Sequence, residues 1–259
     1  MTPVLEVKEL TKTFGGLTAV SEVSFAIPKG SIYGIIGPNG AGKTTIFNQI
    51  TGIYAPTSGD ILLEGKSLLG LKSCTIAQMG IARTFQNLRL FKKLTALENV
   101  MIACQHSSNY NLLTAILRSK HYREEEKRIK EKAENLLEII GLSQYINQTA
   151  SNLPYGHQRR LEIARAMAMN PRLLLLDEPA AGMNPEESLA LMEFIHEIKN
   201  KFSLTILLIE HHMEIVMGTC EHIVVLNFGK EIASGTPEAI QNNPDVITAY
   251  LGEEVPEDE

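Results

Sequence analysis

The chain has 259 residues, of which 44% are hydrophobic and 21% charged, and a formal net charge of −6. That length and apolar content suffice for one large domain, or for one domain with a sizeable insertion. The acidic balance supplies no basic field for a phosphate backbone, so no nucleic-acid partner is expected. Cys74, Cys104 and Cys220 are odd in number, far apart and outside any CxxC spacing, which excludes a disulfide framework and fits a reducing compartment; all three read as buried thiols.

In chain order, MTPVLEVKEL carries Glu6, Lys8 and Glu9 and lacks the apolar stretch of a secretory signal. LEVKEL alternates like a half-exposed antiparallel strand, and further strands are predicted at Val23 to Ile27, Ser31 to Ile36 and Ile61 to Leu63. From roughly Gln86 to Met169 no strand pattern appears, so an inserted helical subdomain is placed at about 87–169. Inside it, Ile129, Ala133, Leu136, Leu137 and Ile140 form one apolar stripe, with Gly141 just past the end, which predicts an amphipathic helix from Glu124 to Ile140. Leu173 to Leu176, Thr205 to Ile209 and Ile223 to Leu226 are apolar at consecutive positions, as parallel strands covered on both faces must be. Asn184, Pro185, Glu186 and Glu187 announce a helix with an N-cap, a first-turn proline and two acids at the positive end of its dipole, running to about Lys201. Residues 170–251 therefore return to the α/β core, and the acidic tail 252–259 is expected to be disordered. No apolar run reaches the roughly 20 residues that span a bilayer. The protein is expected to be soluble by itself, with any membrane role passing through a partner.

Gly37-Pro38-Asn39-Gly40-Ala41-Gly42-Lys43-Thr44 matches G-x-x-x-x-G-K-[ST], follows the apolar run IYGII, and opens a helix-compatible run that begins with Thr44 and Thr45. Glycines let the backbone curl until several N–H groups converge on phosphate, the helix adds its positive end, Lys43 reaches the β/γ oxygens, and the Thr44 hydroxyl can ligate Mg²⁺. Downstream, the strand Leu173 to Leu176 delivers Asp177 and Glu178 at its carboxyl end, where open α/β sheets bind ligands. Asp177 would hold Mg²⁺, directly or through water, and Glu178 would orient or deprotonate an attacking water. The adjacent His211 and His212 are not read as a metal pair, because neighbouring side chains diverge and no other Cys or His cluster accompanies them.

Together the phosphate loop, LLLLDEP, YGHQRRLEIARA and the histidine after TILLIE, in that order, resemble an ABC-type ATP-binding domain over nearly the whole chain. The resemblance implies an α/β fold with a P-loop NTPase (RecA-like) core, an N-terminal antiparallel β subdomain and the inserted α-helical subdomain, in a single domain over 1–251. It implies ATP and Mg²⁺ as cofactors, with Phe14 stacking on adenine, Val20 and the loop residues Gly37 to Thr45 contacting the nucleotide, and Gln86 joining Thr44 and Asp177 around the metal. His211 would sense the γ-phosphate, completing a catalytic set with Glu178, Gln86 and Lys43. The stretch Leu153-Pro154-Tyr155-Gly156-His157 occupies the place of the family's signature, usually Leu-Ser-Gly-Gly-Gln, which binds the γ-phosphate held by a second subunit. Pro154 supplies neither the serine hydroxyl nor an N–H, so the backbone of Tyr155 and Gly156 and the helix dipole would carry that contact, giving a weaker or asymmetric site. Asn184 likewise stands where the family commonly has Asp.

RTFQNLRLF, NLPYGHQRRLEIARA, DEPAAGMNP and GTPEAIQNNPDVITAYLG look most similar to the ATP-binding subunits of bacterial branched-chain amino acid importers. That resemblance implies a homo- or heterodimer of ATP-binding subunits, transmembrane permease subunits and, indirectly, a substrate-binding protein. It places the chain peripherally on the cytoplasmic face of the plasma membrane of a bacterium or archaeon. The alternatives are the ATPase of a lipid or lipopolysaccharide exporter, or a soluble ABC ATPase acting on nucleic acid.

Overall fold

Residues 3–105 and 120–251 are described by the computed structural model. Its strands are β1 (Leu5–Phe14), β2 (Leu17–Ile27), β3 (Ile32–Ile36), β4 (Ser58–Leu63), β5 (Lys66–Ser67), β6 (Ile81–Arg83), β7 (Leu173–Asp177), β8 (Thr205–Ile209), β9 (His222–Asn227) and β10 (Lys230–Gly235). They form an antiparallel sheet in the order β2-β1-β4-β5 and a six-stranded sheet in the order β10-β9-β3-β8-β7-β6. In the larger sheet β9, β3, β8, β7 and β6 run parallel, and β10 closes one edge antiparallel to β9.

The consecutive apolar positions have a direct cause. Leu173, Leu175, Leu207, Ile209, Val224 and Leu226 enter the core shared with the antiparallel sheet and the helix Lys43–Ile50. Their alternates Leu174, Leu176, Ile206, Leu208, Ile223 and Val225 enter a second core built with the helices Ala96–Cys104, Lys120–Ile139, Tyr155–Met167 and Pro185–Phe202. Because a strand side chain points to alternate faces, a sheet buried on both sides has no polar position to spare.

Between β6 and β7 the described regular elements are helical or short 3₁₀ turns, joined by one isolated bridge, Thr95 to Thr149. Among the described residues the amphipathic helix covers Lys120–Ile139; the charged residues ahead of Glu124 carry none of its apolar stripe. The helix at Pro185 starts as its sequence predicts: the Asn184 side chain accepts from the Glu187 N–H, and the Glu187 carboxylate accepts from the Asn184 N–H. The tail 252–259 lies outside the described residues.

Three sequence expectations change. β1 and β2 run to 10 and 11 residues, longer than their apolar cores, because their distal halves are partly exposed and polar. β6 and β10 carry no recognisable apolar run; one is three residues long and the other is a half-exposed edge. Cys74 is exposed, since the short helix Ser73–Gln78 buries only Ile76, while Cys104 and Cys220 are buried as expected.

Gly34, in the middle of β3, marks a tight contact between strand and helix. A methyl group there would lie 2.8 Å from Cys220 Sγ and 3.5 Å from Val216. Burial pushes the Cys220 thiol up to about 12, so it stays protonated and packs as a small apolar group. Gly34→Ala is predicted to lower stability by about 1–3 kcal/mol through overpacking. Adding Cys220→Ala should recover much of that loss, as measured by the shift in unfolding midpoint; an unchanged midpoint for Gly34→Ala alone would contradict the packing.

Candidate nucleotide site

Every parallel strand of the large sheet ends on the same edge, and each contributes there. β3 leads into the loop Gly37 to Gly42 and the helix Lys43–Ile50. Gly37 has φ 147°, and a Cβ on it would stand 2.1 Å from the Leu226 carbonyl oxygen; Gly42 has φ 103° and its Cβ would stand 2.5 Å from that of Ala19. The loop therefore keeps its curl because those positions lack side chains. The following helix has no side-chain cap at Gly42, so its first-turn N–H groups face the loop without a side-chain acceptor. Lys43 is buried and folds back, its Nζ donating to the carbonyls of Gly37 at 2.6 Å and Pro38 at 2.9 Å. Burial pulls its ammonium below the ordinary lysine range, and the nearby Glu178 and Asp177 carboxylates partly oppose that. A curled glycine loop, an uncapped helix start and a lysine held at its centre fit a bound triphosphate.

At the end of β7, Asp177 Oδ2 receives Arg83 Nη2 at 2.6 Å, and both side chains are almost wholly buried. Arg83 also donates to Asn48 Oδ1 and lies over the rings of Phe47 and Phe85. Glu178 turns away from Asp177 on a left-handed backbone, φ 46°. Its Oε2 accepts from Gln86 Nε2 at 2.6 Å and stands 3.8 Å from His211 Nδ1. Three of the predicted residues thus meet around one oxygen. Thr44, Asp177 and Gln86 offer a hydroxyl, a carboxylate and an amide oxygen, hard donors of the kind Mg²⁺ takes.

Sequence reasoning did not single out Glu210. It is fully buried, its Oε1 accepting from the Ala180 N–H and its Oε2 from the His211 N–H, so it ties the end of β8 to the turn after β7. Nor did it find Arg159, the largest fully buried side chain. Arg159 donates to the carbonyls of Phe85 and Gln86, to Glu162 Oε2 and to the Tyr155 hydroxyl. Glu162 in turn accepts from the Arg89 N–H, and burial raises its carboxyl above the usual range against those bonds. The only sequence signal was a charged pair at i, i+3 in a run otherwise rich in apolar residues.

The signature stretch sits at the start of the helix Tyr155–Met167, which has Pro154 at its N-cap and no side-chain cap. Tyr155 is half-exposed and its hydroxyl donates to the Ala181 carbonyl, while a Cβ on Gly156 would meet open space. Phe14, at the β1–β2 turn of the other sheet, lies apart from the carboxylates: it is partly exposed, edge-on to Tyr54 at 5.2 Å and under Lys12. Val20 is fully buried and packs against the loop at Gly42.

This architecture and edge define a nucleotide-binding cassette, and comparison with known proteins agrees. The family model for ABC transporters matches residues 20–181, and that for the branched-chain amino acid ATP-binding cassette transporter matches residues 230–256. The chain is 49% identical over 251 residues to the high-affinity branched-chain amino acid transport ATP-binding protein BraF of Pseudomonas aeruginosa, covering 97% of this chain and 98% of BraF. It is 50% identical to LivG of Escherichia coli K12, a protein described in the same terms, with the same coverage. The crystal structure of the ADP conformation of MJ1267, an ATP-binding cassette of an ABC transporter, superposes with a TM-score of 0.84 at 32% identity, covering 97% of this chain and all of that one. The chain belongs to the ABC transporter family of ATP-binding proteins.

Removing Arg159 would leave Glu162 charged or protonated in a buried site and release the carbonyls of Phe85 and Gln86. Arg159→Ala is predicted to destabilise by about 3–5 kcal/mol. Denaturant unfolding checks this, and a loss below about 1 kcal/mol would contradict a buried guanidinium whose two Nη groups hold Phe85, Gln86, Glu162 and Tyr155.

Proposed function

We propose that this chain is the ATP-binding and ATP-hydrolysing subunit of an ABC importer of branched-chain amino acids. The observation that carries the chemistry is Glu178 Oε2, held by Gln86 at 2.6 Å and near His211 at 3.8 Å, beside the lysine-bearing loop. Glu178 orients the attacking water and accepts its proton as the oxygen bonds to the γ-phosphorus. Lys43 swings from the loop carbonyls to the β/γ oxygens, and His211 donates a hydrogen bond to a γ-phosphate oxygen. Gln86 keeps Glu178 in position until nucleotide arrives. Thr44, Asp177 and Gln86 hold Mg²⁺, which when bound neutralises charge on the phosphate oxygens. Phe14 stacks on adenine, and the loop backbone from Gly37 to Thr45, backed by Val20, holds the phosphates.

Tyr155 and Gly156 complete the site of a second ATP-binding subunit, identical or related, through backbone N–H groups at an uncapped helix start. Among the described residues no helix is long and apolar enough to cross a membrane. The subunit acts peripherally, on the cytoplasmic face of the membrane, through permease subunits that also serve a substrate-binding protein. The segment after Gln86 is the coupling surface. Arg159 and Glu162 anchor its start, and the buried Asn99 binds the N–H and carbonyl of Phe91, whose ring is partly exposed. The C-terminal match to the branched-chain amino acid cassette supports this reading over a lipid or lipopolysaccharide exporter.

Glu178→Gln keeps the shape but cannot accept the proton. It should lower kcat by at least ~10²-fold while leaving ATP affinity within a few-fold, and an ATP-dependent dimer should accumulate on size exclusion. Hydrolysis at the wild-type rate would remove Glu178 from this role.

A further inference from the structure

Glu210, His211 and His212 run from the end of β8 into the helix Met213–Thr219. In an extended run, neighbouring side chains point to opposite faces, and on that ground two adjacent histidines would never share a ligand. Here they do not diverge. Their rings lie 4.1 Å apart, tilted by 38°. Both Nδ1 atoms face one oxygen, Glu210 Oε2, at 3.9 Å from His211 and 3.5 Å from His212. One ligand atom from each of the three residues falls within 4.8 Å of the others.

The cause lies in the backbone and in Glu210. Its carboxylate is pinned by the N–H groups of Ala180 and His211, and the chain bends at His212, which is the N-cap of the next helix. Zinc binds imidazole nitrogen at about 2.0–2.1 Å and carboxylate oxygen at about 2.0–2.2 Å, so tetrahedral ligands stand about 3.3–3.5 Å apart. The separations around Glu210 Oε2 need only a few tenths of an ångström to meet that. Two imidazoles and a carboxylate suit Zn²⁺, Cu²⁺ or Ni²⁺ far better than Mg²⁺. Glu178 Oε2, 3.8 Å from His211 Nδ1 but held by Gln86, lies outside this cluster, which leaves the fourth position to water.

We infer that Glu210, His211 and His212 form a chelating site for a divalent transition cation of the zinc class, separate from the oxygen-donor set of Thr44, Asp177 and Gln86. Occupation of that site arrests turnover, because the metal takes the imidazole of His211 away from the γ-phosphate. The chelation stands on its own geometry; the arrest rests on the role of His211 given under Proposed function.

Zn²⁺ titration of the nucleotide-free full chain against a chromogenic chelator tests the first part, with Co²⁺ absorption in the visible reporting tetrahedral nitrogen and oxygen ligation. Wild type should bind one equivalent tightly, and His212→Ala and His212→Asn should each bind at least about tenfold more weakly. Cys74→Ser, which removes the exposed thiol, should bind as wild type does. Equal affinity in wild type and both His212 variants would overturn the site. For the second part, Zn²⁺ added to saturating Mg-ATP should inhibit wild type and spare His212→Ala, whose zinc-free rate is retained. Equal inhibition of the two would overturn the arrest. A wild type that chelates Zn²⁺ with the predicted His212 dependence supports the site even if it hydrolyses no ATP without zinc, and that second result would count against the ATPase reading alone.

Discussion

Parallel pairing is the constraint on which the rest of this structure depends. Because β9, β3, β8, β7 and β6 share a direction, whatever follows each strand is delivered to one edge. The phosphate loop follows β3, Asp177 ends β7 with Glu178 just beyond it, Glu210 and His211 follow β8, and Gln86 lies three residues after β6. Residues far apart in sequence therefore meet without any long-range bond having to find them; the register of the sheet does it. The same pairing forces both faces to be covered, which accounts for the two cores and for strands whose polar residues stand only at their ends.

Two buried arginines then connect that edge to the rest of the molecule. Arg83 binds Asp177, 94 residues away, and clamps β6 against β7 and the loop helix through Asn48. Arg159 binds the Phe85 and Gln86 carbonyls from the helix that begins at the signature stretch. Buried ion pairs contribute little net stability when exchanged for apolar groups, but they fix geometry, since either partner alone is strongly unfavourable. The carboxyl side of Gln86 and the segment that follows it are thus positioned by a side chain that also touches Tyr155. Tyr155 in turn binds Ala181, in the turn after β7. The nucleotide edge, the signature stretch and the segment after Gln86 share one hydrogen-bonded connection.

Much of this was legible in the sequence, and the boundary of legibility is physical. The phosphate loop is a local motif, a short leucine run bordered by turn residues reads as a doubly covered strand, and Asn184 with Glu187 is a cap written in four adjacent residues. What escaped has its partner elsewhere in the chain. Arg159 is charged, so composition places it in solvent, and only the fold supplies the carbonyls that satisfy it. Glu210, just past β8, carries no local signal of the N–H groups that satisfy it, and it is fully buried. β6 is three residues long, and β10 is a half-exposed edge whose strand character comes from β9. The divergence expected of His211 and His212 assumed an extended backbone, and the bend into the following helix removes that assumption.

The account stands most directly on Lys43 and the loop around it. Equilibrium binding of ATP by calorimetry to wild type and Lys43→Ala, both checked for an intact fold, measures whether this edge holds the triphosphate. Losing a charged hydrogen bond to phosphate should weaken binding by about 10- to 100-fold. If Lys43→Ala bound ATP as tightly as wild type, the nucleotide would have to lie elsewhere, and the account would fail.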